Sequence, residues 1–195
     1  MSKLVTPEGR LSFPDLWKPR AFVDPEGKAG KAKYNATLLF PPGTDLGPLK
    51  AEATRALKDK FGSDATLKLC RGNNNPFHDC AEKPDLAGYE EGWSYIKFSS
   101  ANPPKMVRRK AGQTVPISEE EGILFAGCWV KLSTSAYAYD YLGKGVAFGL
   151  FSVLLCKSGE PFGVSADPAS EFADEEADYE EVEVGDDLVE SDEPF

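Results

Sequence analysis

Residues 167–195 carry fourteen acids and neither Lys nor Arg. Long blocks of like charge repel themselves and bury too little apolar surface to repay ordering, so such a segment is expected to stay disordered as an interaction tail. Any packed core must therefore come from residues 1–166. The tail also changes how the net charge is read. The chain as a whole is at −10, yet residues 1–166 hold all 22 Lys and Arg against eighteen acids, a body of about +4. A mildly basic body joined to a strongly acidic tail suggests a polyanion binder whose tail competes for its own binding surface.

A body of this length suits one domain, burying roughly 70% of its unfolded-chain surface without help from disulfides. Of the four cysteines, Cys128 and Cys156 lie in apolar, strand-like runs and read as small buried hydrophobes. The N-terminus lacks the apolar stretch of a secretory signal, and no run approaches the ~18 apolar residues of a membrane span. The expectation is a soluble protein of a reducing cytoplasm.

Residues 45–61 give the strongest helical pattern. Leu49, Ala53, Ala56, Leu57 and Phe61 share one face, with Pro48 near the start and Gly62 just past the end. Most other segments read as strands. In 32–40, Tyr34, Ala36, Leu38 and Phe40 alternate with Lys33, Asn35 and Thr37. In 93–99, Ile96 and Phe98 oppose Trp93, Tyr95 and Lys97. Residues 127–141 and 144–157 predict two long strands, with Leu142-Gly143-Lys144-Gly145 as the hairpin connection. Residues 71–92 and 101–112 read as loops, the first polar and rich in Asn, Asp, Pro and Gly. Short strands with one clear helix predict a mainly β fold, a compact barrel with loop insertions.

The chemistry lies in aromatic and basic residues on strand faces. Trp93, Tyr95 and Lys97 share one face of their strand. Trp129, Lys131, Tyr137 and Tyr139 share one face of another, opposite Cys128, Val130, Leu132, Ala136 and Ala138. Aromatic rings stack on bases and cations track phosphates, the combination a single-strand binder needs. The alternative is that these rings are core, since Trp and Tyr are often largely buried; a bulge would also scramble the parity. Lys33 adds a cation on the strand at 32–40. Lys105, Arg108, Arg109 and Lys110 form the densest basic cluster, either a phosphate clamp on a loop or a solvated turn. Phe77 and His78 sit in the polar loop, placed beside a base or, alternatively, pinning the loop. His78 lies between Cys70 and Cys80, but paired zinc spacings are missing. No phosphate-binding glycine motif and no nucleophile elbow occurs. The expectation is a non-enzyme with no cofactor and no metal.

Several motifs occur in order: Asn75-Pro76-Phe77-His78-Asp79, the stretch from Gly92 to Ser100, Pro116-Ile117, Gly127-Cys128-Trp129-Val130-Lys131, Ala136-Tyr137-Ala138-Tyr139-Asp140 and Gly145 to Leu150. With these the chain resembles the tailed-phage single-stranded-DNA-binding proteins, over roughly residues 4–163. The resemblance implies an OB-type β-barrel with added elements over 1–166 and an acidic tail over 167–195. It implies sequence-tolerant binding of single-stranded DNA (ssDNA) during phage replication and recombination in the host cytoplasm. The tail would dock phage or host replication and recombination enzymes, with Phe195 as the docking ring. The segment 105–110 is more basic than the resemblance leads one to expect. Two other classes remain open: an acidic interaction protein or DNA mimic acting through the tail, and a nuclease whose acids would need a metal. No membrane contact is expected, and the sequence carries no mark of an oligomeric state.

Overall fold

A computed structural model describes residues 3–21, 27 and 29–163. The acidic segment 167–195 and Phe195 lie outside them. Within the described residues, nine strands and one α-helix are arranged as β1 (Leu4–Val5), β2 (Gly9–Arg20), β3 (Lys33–Phe40), α1 (Gly47–Phe61), β4 (His78–Asp79), β5 (Ser94–Ser100), β6 (Lys105–Lys110), β7 (Gln113–Pro116), β8 (Trp129–Asp140) and β9 (Lys144–Lys157).

Five of these strands close a ring. β2 pairs with β3, β3 with β5, β5 with β9, β9 with β8, and β8 returns to β2; only the β5–β9 contact is parallel. Numbered within the ring the order is 1-2-3-5-4, the OB-type barrel that the resemblance implied. β6 and β7 form an antiparallel hairpin, and β6 runs parallel to the end of β9. This corrects the reading of 101–112 as a loop. Met106 is half-buried against the core and sits opposite the buried Val153, so pairing with β9 overrides the local basic composition.

Period-two alternation fills the interior. Leu11, Leu38, Ile96, Phe98, Val130, Leu132, Phe148, Leu150 and Val153 are buried together. The alternation expected for β8 holds in burial from Trp129 to Thr134, whereas Ser135, expected on the outward face, is buried. Two irregularities occur, and both extra residues lie on β9: Cys156, exposed rather than buried as expected, between the pairs Trp129–Lys157 and Val130–Leu155, and Phe151, between the pairs Ser133–Ser152 and Thr134–Leu150. Thr134 is buried there and its Oγ1 donates to Gly149 O at 2.6 Å.

The helix forms where its spacing predicts. Asp45 Oδ1 accepts from the Gly47 amide at 2.8 Å, Pro48 occupies the first turn, and Gly62 ends the helix at φ 101°. Lys58 and Lys60 in the last turn complement the negative end of the helix dipole. The face bearing Leu49, Ala53, Ala56 and Leu57 is buried, and the helix packs on β8 and β9.

β2 is the strand that sequence periodicity missed. Pro14 and Pro19 interrupt it, and its pairing with β3 shifts between Ser12 and Asp15. Prolines are tolerated in strands at such irregularities, where the ladder needs no donor.

Candidate nucleic-acid interface

The outer face of β2, β3 and β5 holds two regions set by cross-strand register. Residues paired directly across neighbouring strands share a face. Arg10 pairs with both Leu39 and Trp129, and Leu39 with Tyr95, so Tyr95, Leu39, Arg10 and Trp129 form one outward row. The adjacent row is Lys97, Thr37 and Ser12.

The first row is covered. Residues 78–93 fold back over it, and Leu39, Cys80, Tyr89 and Tyr95 make a second small core with Leu86, Trp93 and Phe162 packed around it. Phe162 fits against Gly88, where a Cβ would collide with its ring, and Gly88 has φ +83°, so the position needs glycine twice over. Arg10 lies over the Phe162 ring, its Cζ 4.3 Å from the ring centroid, and donates to Glu160 O at 2.6 Å.

This cover corrects the expectation that Tyr95 is an exposed stacking ring. It is 2% exposed, with His78 stacked on it at 4.8 Å and Tyr89 edge-on at 5.4 Å. Burial, and then the charge of Glu82, push its phenol up to about 12. His78 is half-buried, and burial lowers its pKa despite Glu82 at 3.5 Å from Nδ1. Phe77 packs edge-on to Phe148 at 5.9 Å and pins the loop to the main core; this is the alternative that sequence left open. Trp93 and Trp129 are half-buried with ring centroids 6.3 Å apart, and Lys157 Nζ sits 4.7 Å from the Trp129 ring.

In the neighbouring row Ser12 and Thr37 are buried and Lys97 is exposed. Thr37 and Lys97 floor a groove of about 660 Å³ whose other lining residues are Phe13, Asp15, Arg20, Ala21, Lys31, Lys33, Asn35 and Lys83. Five cations face one carboxylate, and Asn35 Nδ2 donates to Asp15 Oδ2 at 3.3 Å. Loss of hydration in the groove, then repulsion from Lys83, lowers the Lys97 pKa. Lys83 also lies 5.0 Å from the Tyr95 ring centroid, so the covering loop contributes its own cation. Phe13 is 52% exposed, with its ring 6.5 Å from Tyr89. Its backbone is left-handed, φ 46°, a conformation unfavourable for a residue with a Cβ.

Among the sequence-derived candidates, Lys33 and Lys97 reach this groove. The others lie elsewhere. Tyr137 is 39% exposed and borders α1 beside Arg55 and Asp59. Tyr139 lies over Gly145 and its hydroxyl is 3.2 Å from Asn74 Oδ1. Lys105, Arg108, Arg109 and Lys110 occupy strand β6 rather than a loop. Arg108 is paired with Glu121 at 2.6 Å, and Arg109 Nη2 donates to Gly112 O at 2.8 Å. Lys131 is half-buried on β8. Sequence reasoning missed Phe13, Arg20, Lys31 and Lys83 as site residues. Pro14 was the available signal for Phe13, because a proline inside an apolar-polar alternation marks a bulge that can re-aim a side chain. Among the described residues, no group of three or more His, Cys, Asp or Glu could hold a metal, and no helix is long and apolar enough to cross a membrane.

A closed five-stranded ring with an open cationic groove on its first three strands defines an OB-type barrel of the nucleic-acid-binding class. Residues 2–182 match the family model described as Enterobacter phage Enc34, ssDNA-binding protein. The chain belongs to that phage family. Protein p50 of Acyrthosiphon pisum secondary endosymbiont phage 1 is 31% identical over 171 residues, covering 85% of this chain and 89% of that one. The single-stranded DNA-binding protein of bacteriophage Enc34, solved in complex with ssDNA, superposes with TM-score 0.64 at 24% identity, covering 83% and 89% of the two chains. Gp2.5, the single-stranded DNA-binding protein of bacteriophage T7, gives 0.54 at 16% identity, covering 93% and 98%. At these identities the two structures establish a shared fold.

Proposed function

We propose that this protein binds single-stranded DNA without sequence preference and protects it during phage replication and recombination in the host cytoplasm. The observation that carries the reading is the groove, where Arg20, Lys31, Lys33, Lys83 and Lys97 surround a half-exposed aromatic ring. Cations along a groove neutralise phosphates, and a ring accepts any base by stacking. Membership of a phage ssDNA-binding family supports the same assignment. The protein acts by binding rather than by catalysis.

The acidic segment 167–195 competes with DNA for the basic surface, its carboxylates imitating a run of phosphates. It also docks replication or recombination enzymes of phage or host, with Phe195 entering an apolar pocket on the partner. Support for this rests on the opposition of charge between body and tail. Anisotropy titration with a labelled single strand and a duplex of equal length tests the binding reading, and equal affinity for both would refute it. Deleting residues 167–195 should tighten ssDNA binding at ~50 mM salt, where charge effects are strong. Unchanged affinity would refute tail competition.

A further inference from the structure

The β6 cations lie outside the groove, and register shows what surrounds them. Ser133 pairs with both Val5 and Ser152, and Ser152 with Lys105, so Val5, Ser133, Ser152 and Lys105 form one row across β1, β8, β9 and β6. Lys131, Leu154, Val107 and Pro116 form the next, reaching β7. Lys131 lies two residues beyond the outward Trp129 on β8, so these rows continue the outer face of the sheet.

This face is basic and carries apolar surface suited to bases. Lys105 and Arg109 are exposed on β6, and Lys131 is half-buried on β8. Lys3 Nζ lies 5.4 Å from the half-buried ring of Phe151, the residue displaced by a β9 bulge. Val5 is 60% exposed, and Leu154 and Val107 are half-buried between the cations. Lys157 stands at the near edge, paired with Glu8 at 3.0 Å. The roofed row of Tyr95, Leu39, Arg10 and Trp129 separates this face from the groove, with Phe162 and residues 78–93 as the roof. The two cationic surfaces are therefore distinct and lie either side of that roof.

We infer that the face of β1, β8, β9 and β6 is a second phosphate track, engaged by a further segment of a strand already held in the groove. The occupant is a single-stranded polyanion: lysine and arginine side chains are spaced along the outer face of the barrel, with small apolar steps between them rather than a closed pocket. This rests on the ssDNA-binding reading above. A strand bound in the groove gains nothing from the second face until it is long enough to pass the roof, so length dependence identifies the track.

The test compares full-length wild type, the second-face variant Lys105→Ser/Arg109→Ser/Lys131→Ser, and the groove variant Lys33→Ser/Lys97→Ser. Each is titrated across a salt series with thymidine oligonucleotides of about 4 and about 16 nucleotides, the ends of the site-size range for OB folds. With the longer strand, the second-face variant should flatten the log K against log salt slope by about 2, at roughly 0.7 for each phosphate no longer neutralised. With the shorter strand its affinity and slope should match wild type. An unchanged slope with the longer strand would overturn the second track. Equal weakening on both lengths would also overturn it, by placing these residues in the primary site. If instead the groove variant binds the short strand like wild type, it is the groove assignment that fails. Melting curves on all three proteins, and the single variant Lys131→Gln with an expected slope change of about 0.7, separate weakened phosphate binding from damage to the fold.

Discussion

Replacing Phe13 separates stacking from packing at the groove. The ring is half-exposed, so its removal opens no cavity in the main core. Among the described residues its one ring neighbour is Tyr89 at 6.5 Å and a tilt of 56°, a contact worth about 0.5 kcal/mol, the lower end for aromatic pairs, given the exposure. The backbone at φ 46° costs an L-residue about 1–2 kcal/mol. Glycine relieves that strain and adds back roughly 0.5–1 kcal/mol of unfolded-chain entropy. The variant Phe13→Gly should therefore stay within about 1 kcal/mol of wild-type stability. A ring stacked on a base is worth about 1–3 kcal/mol, which is a five- to 150-fold loss of ssDNA affinity, roughly, on truncation. Anisotropy titration with a labelled oligothymidine, paired with thermal unfolding, reads both quantities. Phe13→Trp, which keeps a stacking face, should bind within a few-fold of wild type. Full affinity in Phe13→Gly would remove Phe13 from the binding site, and early melting would show that the ring is structural instead.

Other outcomes follow from the covered row and the groove. Trp93→Ala removes a half-buried ring of the second core and should lower stability by about 2 kcal/mol, roughly half the cost of a fully buried ring; an unchanged melting temperature would contradict its packing. Gly88→Val should displace Phe162, seen as faster proteolysis between Lys157 and Gly163, and equal cleavage rates would refute that role. Burial raises Tyr95 to about 12 and Cys80 to about 11. Their protonated forms are favoured in the fold, so the stability they contribute is present below their unfolded pKa values and is lost as pH rises through the folded ones. Denaturation midpoints should fall across the range from about 9 to about 12, less steeply in Tyr95→Phe; parallel curves for the two proteins would refute the assignment. The lowered pKa of Lys97 has the opposite sign: its charge opposes folding until pH rises past the folded value. A phosphate in the groove should restore that proton, so calorimetry in alkaline buffers should record proton uptake on ssDNA binding, abolished in Lys97→Met.

Local patterns made much of the barrel legible. The helix, β3, β5 and the β8–β9 hairpin follow from periodicity, and the inward residues Leu38, Ile96, Val130 and Leu132 were the expected ones. Lys33 and Lys97 could be named for the same reason, since each lies opposite an inward apolar neighbour. β2 was not legible because Pro14 and Pro19 erase its alternation, and its stability comes from pairing on both sides. β6 was not legible either, since its basic composition reads as a loop until β9 offers a parallel edge.

What the sequence determines by itself is therefore parity and charge: which residues face inward along a strand, and that a basic body is joined to an acidic tail. What only the tertiary structure decides is which outward face stays open. Trp93, Tyr95 and Lys97 share one side of one strand, yet residues 78–93 and Phe162 close over Tyr95 and leave Lys97 in solvent. Alternation fixes the direction of a side chain relative to its own sheet. Whether a distant loop buries that side chain depends on contacts between residues far apart in sequence, such as Gly88 with Phe162, that no local period encodes.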